Sequence, residues 1–284
     1  MRRICLVTVL VVVCVPFAPL KILKGRFFWP DDIPPFSQQP AGFSSKIRPS
    51  ENTAGTDMQL LKYIQAQGLG SRKQCQWLID NGCIAVNGEI RSDAQSSIKP
   101  EEVETLAIDG EPIFAVPLPY FYILLNKPAD YETSHKPQQY PSVFSLFPNH
   151  MRNIDMQAVG RLDADTTGVL LITNDGQFNH RVTSPKHKVP KLYRVTLKHA
   201  ADNRLCETLK NGVLLHDDNE TVAADEAVLE KPTVLLMTIT EGKYHQVKRM
   251  VAAAGNRVER LHREKFGDWS ADDLPSGGWK FIRV

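Results

Sequence analysis

The chain has five cysteines, at positions 5, 14, 75, 83 and 206, without a CxxC pair among them, and an odd number cannot all be joined in disulfides. Cys75 and Cys83 therefore read as small core residues of a reduced, cytoplasmic protein. The eight histidines show neither HExxH spacing nor a Cys/His cluster, so the sequence offers no metal site and argues against structural zinc. GxxxxGK[ST] and GxGxxG loops are both missing, which removes the usual phosphate cradles of nucleotide and dinucleotide chemistry. A general basic excess is missing as well. The first 57 residues hold seven Lys or Arg against four Asp or Glu, which leaves 27 against 28 for the rest. A nucleic-acid partner must be argued from local patches.

What is present is the composition of an ordinary folded protein, 42% apolar and 23% charged, in a chain of 284 residues, long enough for one large core and a small second module. Arg2-Arg3 and the 17-residue apolar run Ile4 to Leu20 resemble the charged and hydrophobic regions of a signal peptide, at the lower edge of what spans a bilayer. No clear small-x-small cleavage site follows, and the stretch to Thr56 is rich in Pro, Ser and Phe without a steady period. Regular patterning starts at Met58. Residues 1–57 are accordingly expected to be an extension outside the working protein, with a membrane anchor or an organelle address as rival readings; no membrane partner is expected.

From Met58 the texture is that of a compact module. Leu60, Leu61 and Ile64 give one helical face, and Ser71 with Gln74 three residues on forms a capping box for a second helix over Cys75, Leu78 and Ile79. Ile84, Val86 and Ile90 alternate about Asn87-Gly88, a two-residue hairpin signal. Arg72 and Lys73 fall in the first turn of the second helix, where cations oppose the helix dipole; a bound phosphate or a solvated basic turn would each account for them. The module is expected over 58–98. A connecting region over 99–118 contains a strand-like Leu106-Ala107-Ile108 and an Asp109-Gly110 turn, and Pro112, Pro117 and Pro119 stiffen its end.

The larger domain, 119–284, opens with an apolar strand, Tyr122 to Leu125, leading into Asn126-Lys127-Pro128. Its centre is Gly160 to Gly176, GRLDADTTGVLLITNDG: a polar turn bearing Asp163 and Asp165, then a buried strand, Val169 to Ile172. An acidic turn of this kind is commonly a capping device, and spacing alone does not choose between the two aspartates. Lys191 to Leu197 is a strand with Tyr193 and Val195 on one face, Ala201 to Leu209 a helix, and 213–215, 227–229 and 233–240 further strands. From His245 to Ala254 the set Val247, Met250, Val251 and Ala254 marks one helix face, with Lys248 at its margin and Arg249 nearly opposite, directed outward. Between Glu241 and Lys265 seven basic residues stand against three acidic ones, a local positive strip with Tyr244, His245 and Leu261 interleaved. Strands outnumber helices, so the fold class is α+β: a small two-helix-and-hairpin domain, then a larger domain on a mixed, mainly antiparallel sheet.

Gly160-Arg161-Leu162-Asp163 followed by Asp165-Thr166-Thr167-Gly168-Val169-Leu170-Leu171, with Asn126-Lys127-Pro128 upstream and Glu241-Gly242-Lys243-Tyr244-His245-Gln246-Val247-Lys248-Arg249-Met250 downstream, resembles the pseudouridine synthases of the ribosomal small-subunit type over residues 58 to 284. The first module resembles the small RNA-binding domain shared with ribosomal protein S-four. The resemblance implies isomerisation of a uridine in ribosomal RNA, small-subunit RNA above all, with Asp163 as the catalytic residue, Lys248 as its basic partner and Tyr193 stacked on the base. It makes Arg161 and Leu261 contacts of the flipped nucleotide and favours RNA phosphates for Arg72 and Lys73. Lys243, His245 and Arg249 join the RNA-binding set. No cofactor is implied, because the reaction only moves a base from one of its own atoms to another. The partner is ribosomal RNA or an assembling subunit, and a cytoplasmic monomer is expected. A large-subunit RNA substrate and a non-catalytic ribosome-assembly role are the alternatives. One departure stands out: the family usually places Gly two positions after Pro128, where this chain has Asp130.

Overall fold

The computed structural model describes residues 57–284 except 216 and 218. The apolar run Ile4 to Leu20, and all of the expected extension before Asp57, lie outside the described residues. The described residues separate into two compact units, 57–65 with 69–115, and 116–284 with 66–68.

The small unit runs β1 (Met58–Gln59), α1 (Leu60–Ala66), α2 (Arg72–Asp80), β2 (Ile84–Val86), β3 (Glu89–Ile90), β4 (Ser97–Ile98), β5 (Leu106–Ile108) and β6 (Glu111–Ile113). Ser71 and Gln74 close a capping box at the start of α2, as their spacing predicts. Asn87 and Gly88 both take positive φ, 50° and 82°, which is what a two-residue hairpin turn requires. The sheet order is β3-β2-β5-β6, so residues 106–113, expected in a connecting region, instead form half of this unit's four-stranded sheet. The reason is pairing: Ile84, Ala85 and Val86 need an antiparallel partner on their second edge, and Ile108, Ala107 and Leu106 supply it.

The large unit runs β7 (Tyr122–Lys127), α3 (Asn149–Arg152), β8 (Gln157–Val159), β9 (Thr167–Thr173), α4 (Gly176–Thr183), β10 (Lys191–Leu197), α5 (Asn203–Asn211), β11 (Val213–Leu215), β12 (Glu220–Val222), β13 (Glu226–Lys231), β14 (Val234–Ile239), α6 (Gln246–Ala253), β15 (Val258–Phe266), β16 (Trp269–Ser270) and β17 (Trp279–Phe281). Nine of these strands form one sheet in the order β13-β14-β10-β15-β9-β7-β17, with β16 beside β15 and β8 beside β9. Its ladders are antiparallel except β9 against β15, which is parallel. Strand β9 is buried on both faces from Gly168 to Thr173, which accounts for its continuous apolar run in place of alternation. Leu124, Val159, Val169, Leu171, Phe178, Val182 and Phe266 share one core cluster beside it. Strand β10 alternates as predicted, Tyr193, Val195 and Leu197 inward.

The parallel ladder decides where the site can form. Parallel strands begin at the same end of a sheet, so the segment leading into β9, which carries Asp163, lies toward the end where β15 begins and which α6 precedes in the chain. At Gly168 the two strands come so close that a Cβ would stand 2.2 Å from the carbonyl oxygen of Arg263, and φ there is +103°. Only glycine meets both conditions.

Candidate active site

The loop carrying Asp163 is fastened from below by a lysine. Lys127, at the end of β7, is 0% exposed, and its ammonium donates to the carbonyl oxygens of Pro128 at 2.9 Å, Ala164 at 3.0 Å and Thr166 at 2.8 Å. Three N–H donors meet three acceptors, which is the full capacity of the group. Burial pushes Lys127 down to about 8, against the opposing pull of Asp165 and Asp163. From the other side, Thr133 Oγ1 donates to the Leu162 carbonyl at 2.8 Å, and the Asp130 N–H donates to Ala164 O at 2.9 Å. Asp130 is the residue standing where glycine was expected, and it has φ +61°. Asp is among the few side chains that accept this region, so the departure keeps the backbone geometry that aims its N–H at the loop.

Asp163 then faces α6. Lys248 Nζ lies 2.9 Å from Asp163 Oδ2 and 2.6 Å from Asp165 Oδ1, so one ammonium bridges two carboxylates. His245 Nε2 is 3.3 Å from the other Asp163 oxygen. Burial alone would lower Lys248, but the hydrogen bonds to Asp165 and Asp163 outweigh it and hold the lysine above its ordinary value. Burial would likewise raise Asp165, and the Lys248 hydrogen bond and charge overcome that and keep it below the usual carboxylate range. The cation these two carboxylates take is thus a side chain of the protein itself. Among the described residues no cluster of three or more His, Cys, Asp or Glu could hold a metal ion.

A cavity of about 360 Å³ opens beside the pair, lined by Arg161, Leu162, Asp163, Tyr193, Lys243, His245 and Leu261, among others. It is in the size range of small-molecule pockets and carries apolar walls with a few converging polar groups. Tyr193 and Leu261 are each 7% exposed and come from the adjacent strands β10 and β15. Arg161 is exposed at the cavity's side.

Several expected site residues are arranged otherwise. Arg249, expected to point outward, keeps only 17% of its side chain exposed; its Nε lies 3.5 Å from Asp217 and its Nη1 donates to Tyr244 O. Lys243 lines the cavity while its ammonium pairs with Glu220 at 2.5 Å. The positive strip is not one surface, because β15 is a strand whose alternate residues turn inward. Arg263 is buried among core groups, whereas Arg257, Arg260 and Lys265 are exposed. Arg72 and Lys73 are exposed in the first turn of α2 in the small unit.

Three functional candidates escaped the sequence reading. Lys127 carries the Asp163 loop, and its signal was a lysine ending an otherwise apolar strand. Lys191 lines the cavity, donates to Val189 O and Thr240 O, and is pushed by burial down to about 8. Arg263 also lines it, bonded through Nε to Val169 O at 2.8 Å and stacked 4.9 Å over Phe266, with a buried Nη2 that meets no acceptor among the described residues.

The chain's similarities bear on the same regions. The model of the RNA pseudouridylate synthase family matches residues 121–253, and that of the S4 domain matches 58–103. The chain is 43% identical over 229 residues to the ribosomal small subunit pseudouridine synthase A of Vibrio parahaemolyticus, covering 79% of this chain and 96% of that one. It is 42% identical over 227 residues to the protein of the same name from Escherichia coli, covering 78% and 95%. Among solved structures it is similar to one described as a pseudouridylate synthase, with 33% identity, a TM-score of 0.55, and coverage of 80% of this chain and 96% of the other. Matched over both of its units by relatives of this identity, the chain belongs to the RNA pseudouridine synthase family and carries an S4 domain ahead of the synthase domain.

Proposed function

We propose that this enzyme converts one uridine of small-subunit ribosomal RNA to pseudouridine, with Asp163 as the residue the chemistry depends on. The observation that carries this reading is the charge arrangement: a carboxylate on a loop fastened by Lys127 and Thr133, paired with Lys248, and facing a cavity of nucleoside size. The substrate class follows the relatives, whose names specify the small ribosomal subunit.

The reaction breaks the bond between ribose C1′ and N1 of uracil and forms one between C1′ and C5. The C5 proton is lost and N1 gains one, so the atoms of the nucleotide balance without a co-reactant. A carboxylate beside the ribose is the first need, and Asp163 stands there with the Lys248 ammonium 2.9 Å from one of its oxygens. Tyr193 and Leu261 hold the uracil while it is detached and turns, and the Tyr193 hydroxyl assists removal of the C5 proton. Arg161, Lys243 and His245 contact the RNA around the extruded nucleotide. Arg72 and Lys73 contribute phosphate contacts from the small unit, which adds affinity without chemistry. On this reading the enzyme works as a cytoplasmic monomer. Arg249 acts by holding the turn before α6 and not as a phosphate ligand.

The test is to map pseudouridines in total ribosomal RNA from cells with and without the gene. Loss of one small-subunit position, restored by the wild-type gene and not by Asp163→Asn, is the expected result. A lost position in large-subunit RNA would move the substrate; an unchanged map would overturn the reading.

A further inference from the structure

Tyr244 is 76% exposed, more than any other large apolar side chain among the described residues. It is nonetheless well held. Its ring stacks on His245, with centroids 3.9 Å apart and planes 18° from parallel, and its carbonyl oxygen accepts from Arg249 Nη1 at 3.2 Å. The next residue, His245, takes the left-handed conformation, φ 48° and ψ 31°, a region a non-glycine side chain occupies at a cost. That turn directs the imidazole inward to Asp163, 3.3 Å away, and leaves the phenol outside. Gln246 locks the same turn: its side-chain oxygen accepts from the Lys243 N–H at 2.9 Å.

The chain therefore holds an aromatic plate with one face on a site residue and the other in water. Fixing a large side chain in this way gives up its freedom in advance, which lowers the entropy lost when a flat ligand lands on it. Both sequence neighbours, Lys243 and His245, line the cavity, and Tyr244 does not. A base resting on Tyr244 is thus outside the cavity, beside the nucleotide that occupies it. Single-stranded RNA, whose splayed bases stack on aromatic rings irrespective of hydrogen-bond pattern, has the chemistry that fits.

We infer that the outer face of Tyr244 is a stacking site for the nucleobase adjacent to the reacting uridine. The inference rests on the reading of the chain as an RNA uridine isomerase and adds to it the place where the flanking nucleotide is held. The base, Tyr244 and His245 then form one continuous stack that ends on Asp163. Because the plate is sequence-tolerant, it selects for an unpaired neighbour more than for its identity.

The experiment is a double-mutant cycle on an RNA fragment containing the uridine that the wild-type enzyme modifies. Wild type, Tyr244→Ala and Tyr244→Phe are each measured for Kd and for kcat and KM. The fragment is intact or carries an abasic nucleotide at the position before or after the uridine. Tyr244→Ala is expected to weaken binding of the intact fragment about tenfold, the size of one lost base–aromatic stack, with the loss in kcat/KM carried by KM. One of the two abasic fragments should weaken wild type equally and Tyr244→Ala no further, and Tyr244→Phe should behave as wild type. Unchanged Kd in Tyr244→Ala, additive losses with both abasic fragments, or a Tyr244→Phe variant as weak as the alanine would each overturn the stacking site. Absence of pseudouridine with the wild-type enzyme is a different result, which overturns the functional reading on which the site rests.

Discussion

The ammonium of Lys248 lies 2.6 Å from Asp165, closer than the 2.9 Å that separates it from Asp163. The two aspartates, which spacing alone did not tell apart, are thus joined through a common cation but differ in setting. Asp163 keeps 28% of its side chain exposed and also meets His245, whereas Asp165 keeps 69%. Under the proposed function the more enclosed carboxylate carries the chemistry and the more open one balances charge.

Asp163→Asn should bind target RNA nearly as well as wild type and form no measurable pseudouridine, because Lys248 retains Asp165 and no charge is stranded. Tritium release from C5 of labelled uridine, run beside a binding measurement, checks both halves. Turnover at even a tenth of the wild-type rate would transfer the role to Asp165.

Lys248→Met leaves two carboxylates facing each other and should cost about 1–3 kcal/mol, between the values of exposed and buried pairs. Lys248→Arg should recover most of the stability. Urea midpoints for the three proteins measure this, and a methionine variant as stable as wild type would show that the bridge contributes nothing.

Asp165 is held below the ordinary carboxylate range by Lys248 acting against burial, so the sign of its pH dependence is fixed. A depressed folded pKa stabilises above the unfolded value, about 3.9, and that stability is lost as pH falls through the folded one. Asp165→Asn should therefore be less stable than wild type at pH 7, and the gap should close as pH falls below the unfolded value and through the lower folded one. Exposure limits the gap to about 1 kcal/mol or less. Urea unfolding across pH 3 to 7 gives the comparison; a gap that widens in acid would reverse the assignment.

Lys127→Met removes the donor from three carbonyl groups under the Asp163 loop and should cost about 2–4 kcal/mol, as expected for orphaned buried acceptors. Activity should fall further than stability explains, since the loop loses its fastening. Single-turnover rates at a temperature where the variant remains folded separate the two losses.

At Asp130, where φ is +61°, glycine should be tolerated and valine should cost about 1–2 kcal/mol through the left-handed penalty for a branched side chain. Thermal melts of the two variants decide this. Equal melting would mean that the Asp130 backbone does not hold Ala164.

Much of this was legible in sequence because the signals were local. The capping box at Ser71, the Asn87-Gly88 hairpin and the alternation of Lys191 to Leu197 each depend on neighbours a few residues away, and each stands where its pattern put it. Strand β15 was not legible. Its residues, Val258 to Phe266, are mostly charged, and a basic run looks like a solvated face until Arg263 is seen turned inward onto Val169 and Phe266. Residues 106–113 were misplaced for a related cause: the prolines around them signal a connection, while the edge of β2 that recruits them is about twenty residues earlier. The role of Lys127 depends on carbonyls from residues 128, 164 and 166, which no linear pattern brings together.

The parallel ladder between β9 and β15 also has a consequence for synthesis. Asp163 leaves the ribosome 85 residues ahead of Lys248, and β15, which pairs with β9, follows later still. Until then β9 lacks one neighbour and the carboxylate lacks its ammonium, so the growing chain can complete its small unit but cannot assemble a charge-balanced pocket. A chain that stops before β15 holds every residue of the GRLD turn and the Lys127 and Thr133 that fasten it, but β9 lacks its parallel neighbour.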